Sequence, residues 1–323
     1  MKNRKERKTR KEGKEVRGFD LVWDRFAGAM KNLLKRIGLT ILVLAALAAA
    51  VLAYAYFIEP HRLVITEAAL EVPNFSPALN GLKVVAISDI HGGSNGVTPE
   101  RLRELVTTAN EQSPDIIVLL GDFVSERRFN REALKRPDGT DRTELKMPVA
   151  DIADGLAGFE ARYGVYAVIG NHDWWHNETS VRRELERVGI TVLENQVKPI
   201  AADGETIYLW GIEDYWRERR VPVANTFDTI PEKRNIIAIT HNPDSLLKTP
   251  EGISLMLAGH SHGGQINFPI FGPYPFVNDG RFMRGEAVVD GRHVFVTSGV
   301  GCTGPQIRFR VPPEIAVVTL NAE

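Results

Sequence analysis

An α/β fold preceded by one membrane-crossing helix is the class this sequence predicts, on three observations. Strand-length apolar runs rich in β-branched residues alternate with amphipathic stretches of helical period, the pattern of βα units. The runs Leu82 to Ser88, Asp115 to Leu120, Val165 to Ile169 and Ile236 to Thr240 each end in polar, chemistry-bearing residues. In an open α/β sheet such strand ends meet in one crevice. Ahead of them lie 22 residues without a charge, Ile37 to Ile58. At ~1.5 Å per residue they span roughly 33 Å, enough for a bilayer core.

A chain of 323 residues, 43% hydrophobic and 25% charged, holds one large domain or two small ones and needs no covalent staples. Its one cysteine, Cys302, excludes an intrachain disulfide and reads as a small buried hydrophobe. The net charge of -1 hides an asymmetry: residues 1–36 carry 13 basic and 5 acidic side chains, the rest 27 and 36. No nucleic-acid partner is expected.

Taken in order, residues 1–18 alternate Lys, Arg and Glu with almost no apolar content and predict a disordered basic tail. Phe19 to Arg36 has helical spacing and basic residues at its end, which suits a helix on an anionic membrane face or an extension of the span. The apolar run is longer than the ~7–15 residues of a signal-peptide core and starts late, so it reads as an uncleaved anchor. Basic residues precede it and only Arg62 follows closely, which sets the N-terminus in the cytoplasm and the remainder outside. Tyr54, Tyr56 and Phe57 fit an aromatic belt at its outer end. The expected organisation is a tail over 1–36, a transmembrane helix over 37–58, a linker with early strands over 59–80 and a domain over 81–323.

Within that domain Thr98 is a helix N-cap before Pro99, with Leu102, Leu105, Val106 and Ala109 on one face. Residues 125–147 are polar and aperiodic and read as an inserted loop over or beside the strand ends, or as a plain solvated excursion. Val149 to Phe159 and Ser180 to Val188 predict helices. Thr206 to Trp210, Leu255 to Ala258, His293 to Thr297 and Ile315 to Leu320 predict strands. No internal repeat is present.

The chemistry gathers around Gly259-His260-Ser261-His262-Gly263-Gly264-Gln265, which follows an apolar run. Two imidazoles two residues apart suit a metal but do not complete its shell. Asp89 and His91, also two apart, can chelate from one side if the chain is extended there. Asp122 after Gly121 can share its two oxygens between cations. Asn171 offers a neutral amide oxygen, His172 a charged donor or acid, and His241 a further imidazole. Five of the eight histidines fall at these strand ends. Such mixed imidazole and carboxylate donors suit Mn, Fe or Zn, with Mg less natural and Ca least.

In order, Asp-x-His, Gly-Asp, Gly-Asn-His-Asp, His and Gly-His-Ser-His resemble the calcineurin-like metallophosphoesterase superfamily, over about Leu82 to Leu320. The resemblance implies a two-sheet α/β sandwich and two divalent metal ions. Asp89, His91, Asp122 and His262 would hold one, and Asp122, Asn171, His241 and His260 the other. It implies His172 as the acid or charge stabiliser, Asp173 orienting it, and in-line attack on phosphorus by a metal-bridging hydroxide. Relatives often carry an acidic residue three after the Gly-Asp aspartate, where this chain has Ser125. Protein phosphatases of the superfamily carry Asp-Arg-Gly and Gly-Asn-His-Glu, against Ser125-Glu126-Arg127 and Asp173 here, which points away from them.

The Gly-His-Ser-His-Gly-Gly-Gln form, Trp174-Trp175, His241-Asn242-Pro243-Asp244 and the N-terminal span are similar to a membrane-anchored bacterial branch. That branch includes phosphodiesterases and enzymes of lipid A biosynthesis that cleave UDP-2,3-diacylglucosamine. The expected partner is a phosphoester or pyrophosphate substrate, lipid-linked, with membrane lipid around the anchor in the inner membrane. Trp174, Trp175, Tyr215, Trp216 and the loop Phe268 to Phe276 are expected to line a path for acyl chains or touch the bilayer; the alternative is that they cover the sheet end. UDP-linked lipids are made on the cytoplasmic side, whereas the charge bias sets this domain outside. A tethered metal-binding scaffold without turnover is the rival function.

Overall fold

The computed structural model describes residues 2–127, 143–216, 223–270, 272–273, 277 and 279–323, excluding the side chains of 2–22, 24, 223 and 224. It divides into two units, residues 1–53 and 54–323. Helix α1 (Lys2–Phe57) starts in the basic stretch. The expectation of a disordered tail therefore differs from the helical backbone found there. Lys, Arg and Glu are good helix formers, and no proline separates them from the apolar run that follows. The segment Arg25–His61 is long and apolar enough to cross a membrane. Its Leu39, Leu42, Leu44 and Leu47 are exposed, as a lipid-facing helix requires.

The second unit is built from strands β1 (Val64–Val72), β2 (Leu82–Ile87), β3 (Ile116–Leu119), β4 (Val165–Ala167), β5 (Thr191–Val192), β6 (Gln196–Ala202) and β7 (Glu205–Gly211). It continues with β8 (Ile236–Ile239), β9 (Leu255–Ala258), β10 (Asn267–Phe268), β11 (Gly272–Pro273), β12 (Gly285–Val289), β13 (Arg292–Val296) and β14 (Glu314–Ala322). Between strands lie α2 (Pro99–Glu111), α3 (Val149–Gly155), α4 (Asn171–His176), α5 (Glu178–Arg187) and α6 (Val223–Asp228). The early strands expected at 59–80 merge into β1, which pairs in parallel with β14. Strand β14 then runs antiparallel to β2 and closes the sheet with a segment distant in sequence.

Two six-stranded sheets result, in the orders β1-β14-β2-β3-β4-β5 and β12-β13-β9-β8-β7-β6. The centre of each is parallel: β2, β3, β4 and β5 in the first, β7, β8, β9 and β13 in the second. Alternation along each strand makes the layers. Val84 and Ala86 pack between the sheets with Leu209, Ile237, Leu255 and Leu257. Val85 and Ile87 face Leu102 and Leu105 of α2 and Leu185 of α5. Trp210, Ala238 and Met256 face outward under Phe227 and Leu246. This is the predicted two-sheet α/β sandwich, and its parallel centres bring the carboxyl ends of β2, β3, β4, β8 and β9 to one edge.

Helix α2 starts where expected: the Thr98 side chain accepts from Arg101 N at 3.3 Å, with Pro99 in the first turn. Cys302 is buried.

Candidate metal centre

Beyond the ends of β2, β3 and β9 the chain turns through left-handed residues. Strand β2 ends at Ile87, and Asp89 and His91 take left-handed φ of 51° and 45°. The extended chain assumed for this pair is thus replaced by two tight turns, tied by Asp89 N and His91 N to the carbonyls of Gly121 and Asp122. Asp122, His260 and His262 are left-handed too, at 57°, 65° and 51°. Asp and His tolerate this region better than most residues, and such strain clusters at functional sites. The neighbouring glycines are steric requirements: a Cβ on Gly170 would overlap the Asp122 carboxylate, and one on Gly259 would overlap Ser88 and Asp89.

All seven residues expected as ligands meet here in two buried clusters. In one, His262 Nε2 lies 3.3 Å from Asp89 Oδ1 and 3.3 Å from His91 Nε2. In the other, His241 Nε2 lies 3.1 Å from His260 Nδ1, 3.2 Å from Asn171 Oδ1 and 3.2 Å from Asp122 Oδ2. Asp122 Oδ2 belongs to both, since His91 Nε2 is 3.6 Å away.

These contacts bring acceptor against acceptor. His91 Nδ1 faces the Val124 carbonyl at 3.0 Å and His241 Nδ1 the Leu120 carbonyl at 2.7 Å. Those bonds assign the Nδ1–H tautomer, so both Nε2 lone pairs point into the site. A lone pair surrounded by a carboxylate, an amide oxygen and another imidazole is stable only around a cation. Donor separations of 3.1–3.6 Å suit atoms that share an ion at ~2.0–2.2 Å. Asp89 Oδ1, buried and accepting no hydrogen bond, is a further orphan that an ion would satisfy. The donor set fits a pair of divalent cations.

Without them, a proton takes the ion's place. Burial presses the His241 imidazolium down, but the Asp122 carboxylate outweighs it and holds the group up at about 10. Burial drives His91 down to about 3 and His262 well below its ordinary value, keeping both neutral. Asp89 is pushed up to about 6 by burial. A metal entering at pH 8 must therefore expel the His241 proton, and affinity must fall as pH drops towards 6 and Asp89 also protonates. Titration calorimetry in two buffers of different ionisation enthalpy should show release of about one proton. Identical enthalpies in both buffers would sink this assignment.

His172 stands beside the clusters at the start of α4, its N–H donating to Asp122 Oδ1 at 2.8 Å. The expected orienter, Asp173, does not touch its ring. Both Asp173 oxygens instead accept backbone N–H groups: Gly170 and Asp122 at 2.9 Å, Phe123 at 2.8 Å and Val124 at 3.1 Å. As the third residue of α4, Asp173 is drawn back to its own helix start, and from there it pins the Asp122 turn. Burial and the Asp122 charge push Asp173 up to about 7.

The carboxylate that does hold the ring is Glu126, with Oε2 2.7 Å from His172 Nδ1. It sits one position beyond Ser125, where an acidic residue was noted as missing. The base of the inserted loop sets it there: Glu126 bridges Leu145, and Lys146 N donates to the Ser125 carbonyl. The remainder of that loop, 128–142, lies outside the described residues.

Asp173→Ala should strip acceptors from four buried N–H groups, a loss of about 3 kcal/mol or more. It should appear as a lower melting temperature in both metal-free and metal-loaded protein. An unchanged melt would refute the pinning role.

Gln265, the last residue of the Gly-His-Ser-His-Gly-Gly-Gln motif, is also positional. Its amide donates to the carbonyls of Thr303 and Pro305 at 2.9 and 2.8 Å, and its oxygen accepts Thr303 N at 2.9 Å. Thr303 Oγ1 thereby comes 3.5 Å from His172 Nε2. The buried Arg308 guanidinium secures the same loop through the carbonyls of Ser298, Gly301 and Val311.

Of the aromatics singled out in the sequence, two wall the site. Trp175 meets the His172 ring at 4.8 Å and stacks on Trp216 at 6.1 Å, and Trp216 meets His260 at 4.9 Å. Trp216 is 46% exposed, as a wall meant for a ligand would be. Trp174 packs instead against the helix-side core, and Tyr215 lies under Lys248. Phe271 and Phe276 fall outside the described residues.

Comparison with known proteins bears on this arrangement. The family model described as calcineurin-like phosphoesterase matches residues 82–264, more than half of the chain. The uncharacterized metallophosphoesterase YkuE of Bacillus subtilis is 30% identical over 273 residues, covering 83% of this chain and 89% of the relative. The phosphodiesterase YaeI of Escherichia coli is 29% identical over 275 residues, covering 83% and 92%. A Danio rerio transmembrane protein with a metallophosphoesterase domain is 30% identical over 277 residues, covering 81% of this chain and 58% of its own length.

Proposed function

Because the chain belongs to the calcineurin-like phosphoesterase family, and is thereby a metal-dependent phosphoester hydrolase, we propose a membrane-anchored enzyme with two divalent cations that cleaves phosphodiester or pyrophosphate bonds. One observation carries the two-ion reading: the two clusters of inward lone pairs share Asp122 Oδ2. Asp89, His91, Asp122 and His262 would hold one ion; Asp122, Asn171, His241 and His260 the other. Bound there, the ions supply Lewis-acid chemistry, drawing charge from the phosphoryl oxygens and making water acidic enough to attack at neutral pH.

The side chains do the rest. His172, backed by Glu126, presents Nε2 to the open side of the site as a charged donor for a phosphoryl oxygen or the leaving alkoxide. Thr303 offers a hydroxyl beside it. Trp175 and Trp216 give an apolar wall for the group beyond the scissile phosphate, which favours a diester over a small monoester.

The relative named a phosphodiesterase supports that bond type, and the apolar helix supports an anchor. The charge bias across α1 supports a single-pass protein of the inner membrane, with an extracytoplasmic catalytic unit. A lipid-linked phosphodiester or pyrophosphate is the substrate class, with UDP-2,3-diacylglucosamine the first compound to try and Mn, Zn or Fe the first ions.

The test takes full-length protein in detergent, stripped of metal and reloaded with Mn, Zn or Mg. Turnover of bis-p-nitrophenyl phosphate is compared with that of p-nitrophenyl phosphate, then with the lipid pyrophosphate. Metal-dependent diester cleavage is the expected result. Two bound ions with no turnover of any of the three would replace the enzyme with a tethered scaffold.

A further inference from the structure

The turn with which α1 ends, Tyr54 to Phe57, belongs to the catalytic unit. It is fastened to the loop that carries Thr303. Arg308 N donates to the Ala55 carbonyl at 3.0 Å, and Asn95 Nδ2 donates to the Tyr56 carbonyl at 2.7 Å and the Gln306 carbonyl at 2.9 Å. Arg101 reaches the His61 carbonyl at 2.6 Å. Only a few residues of one buried-arginine loop therefore separate this turn from the His172 side of the metal centre.

The same loop carries a second apolar feature. Phe309, next to Arg308, bonds through its backbone to Gln265 and Asn267, and its ring lies 5.7 Å from Phe268. Phe268 ends the first strand of the short β10–β11 hairpin, where Phe268 is 45% and Ile270 87% exposed. Across Arg308, Tyr56 and Phe57 are exposed as well, at 44% and 69%. Arg62 and Arg310, both exposed, add positive charge near these two features. Adjoining apolar projections with basic neighbours are the composition of a bilayer interface contact.

We infer that the tip of the β10–β11 hairpin, Phe268 to Ile270, is a second membrane contact, inserting into the leaflet where the Tyr54–Phe57 turn emerges and holding the metal site at headgroup level. The inference rests on the membrane-anchor reading but not on the choice of substrate. A hairpin with two-residue strands cannot stabilise such exposure by itself, whereas lipid covers Ile270 without any further chain. The occupant is the bilayer, since the hairpin and the anchor's last turn are fastened to one loop.

The experiment places an environment-sensitive label at Ile270→Cys and, as a control, at Val288→Cys, which is exposed on the edge strand β12. Both use the Cys302→Ser chain in nanodiscs of phosphatidylcholine and phosphatidylglycerol, loaded with one chain per disc or, in a parallel sample, with two. The label at 270 should be quenched by lipids carrying nitroxide near the headgroup and shielded from iodide, and the label at 288 the reverse. Iodide access at 270 equal to that at 288 would overturn the inference; so would shielding that appears only when two chains share a disc, which would make a second copy the occupant.

A functional arm uses Ile270→Glu. Hydrolysis of a phosphodiester lipid in vesicles should fall about tenfold, while bis-p-nitrophenyl phosphate turnover stays unchanged. Equal effects on both would also overturn it. Absence of all turnover with lipid quenching intact would count against the phosphoesterase reading and leave the contact standing.

Discussion

Asp122→Asn is expected to lower metal-dependent diester hydrolysis by ~10²–10³-fold, the scale for losing one group that stabilises charge in a transition state. The geometry leaves an amide no acceptable orientation. With its NH₂ in the place of Oδ2, a donor points at the nitrogens of His241 and His91 and at any ion between them. Flipped, the NH₂ takes the place of Oδ1 and opposes the His172 N–H, now 2.8 Å from that oxygen. Removing the charge also removes the strongest of the carboxylate interactions that favour a protonated His241 when no metal is bound. Metal content by mass spectrometry should fall below two ions per chain, in step with the loss of kcat/KM. Retention of both ions with activity within tenfold of the parent would refute the shared-oxygen assignment.

That prediction uses residues legible in the sequence, because each donor follows a strand-length apolar run and parallel strands of one sheet end on one side. Asp89, His91, Asp122 and Asn171 needed only that rule and the spacing of their motifs. His241, His260 and His262 come from the second sheet, and that its strand ends meet the same edge follows from the packing of the two sheets. What sequence could not carry was backbone direction beyond the strand. Asp89 and His91 converge through left-handed turns rather than an extended chain. Asp173 turns back onto its own helix start, so its neighbour in sequence, His172, takes its carboxylate from Glu126 across 46 residues. Nothing local distinguishes those two acids. Trp174 and Trp175 are likewise equivalent in sequence, yet successive residues of a helix point about 100° apart, and it is Trp175 whose ring meets His172. The pairing of β1 with β14 depends on contacts 250 residues apart, which no periodicity encodes.

The His172–Glu126 pair gives the second large effect, and it separates the two candidate orienters. His172→Ala should cost ~10²–10⁴-fold in kcat, the range for a positioned acid or charged donor. Burial disfavours the imidazolium, but Asp122 and the bonded Glu126 outweigh it and raise His172 to about 9. A group that works protonated is active below its pKa, so activity should decline on the alkaline side; bound cations move that limb to lower pH without changing its sign. Glu126→Gln keeps an acceptor on Nδ1 and removes the charge that favours the protonated ring. Its pH–kcat profile should lose the alkaline side first: near-parental rates around pH 6, and a deficit that widens towards pH 9. Asp173→Asn, whose carboxylate grips backbone rather than the ring and is the last of the charges raising His172, should move the limb less than Glu126→Gln does and lower the melting temperature. A Glu126→Gln deficit equal at every pH, or an alkaline limb moved further by Asp173→Asn than by Glu126→Gln, would return the orienting role to Asp173.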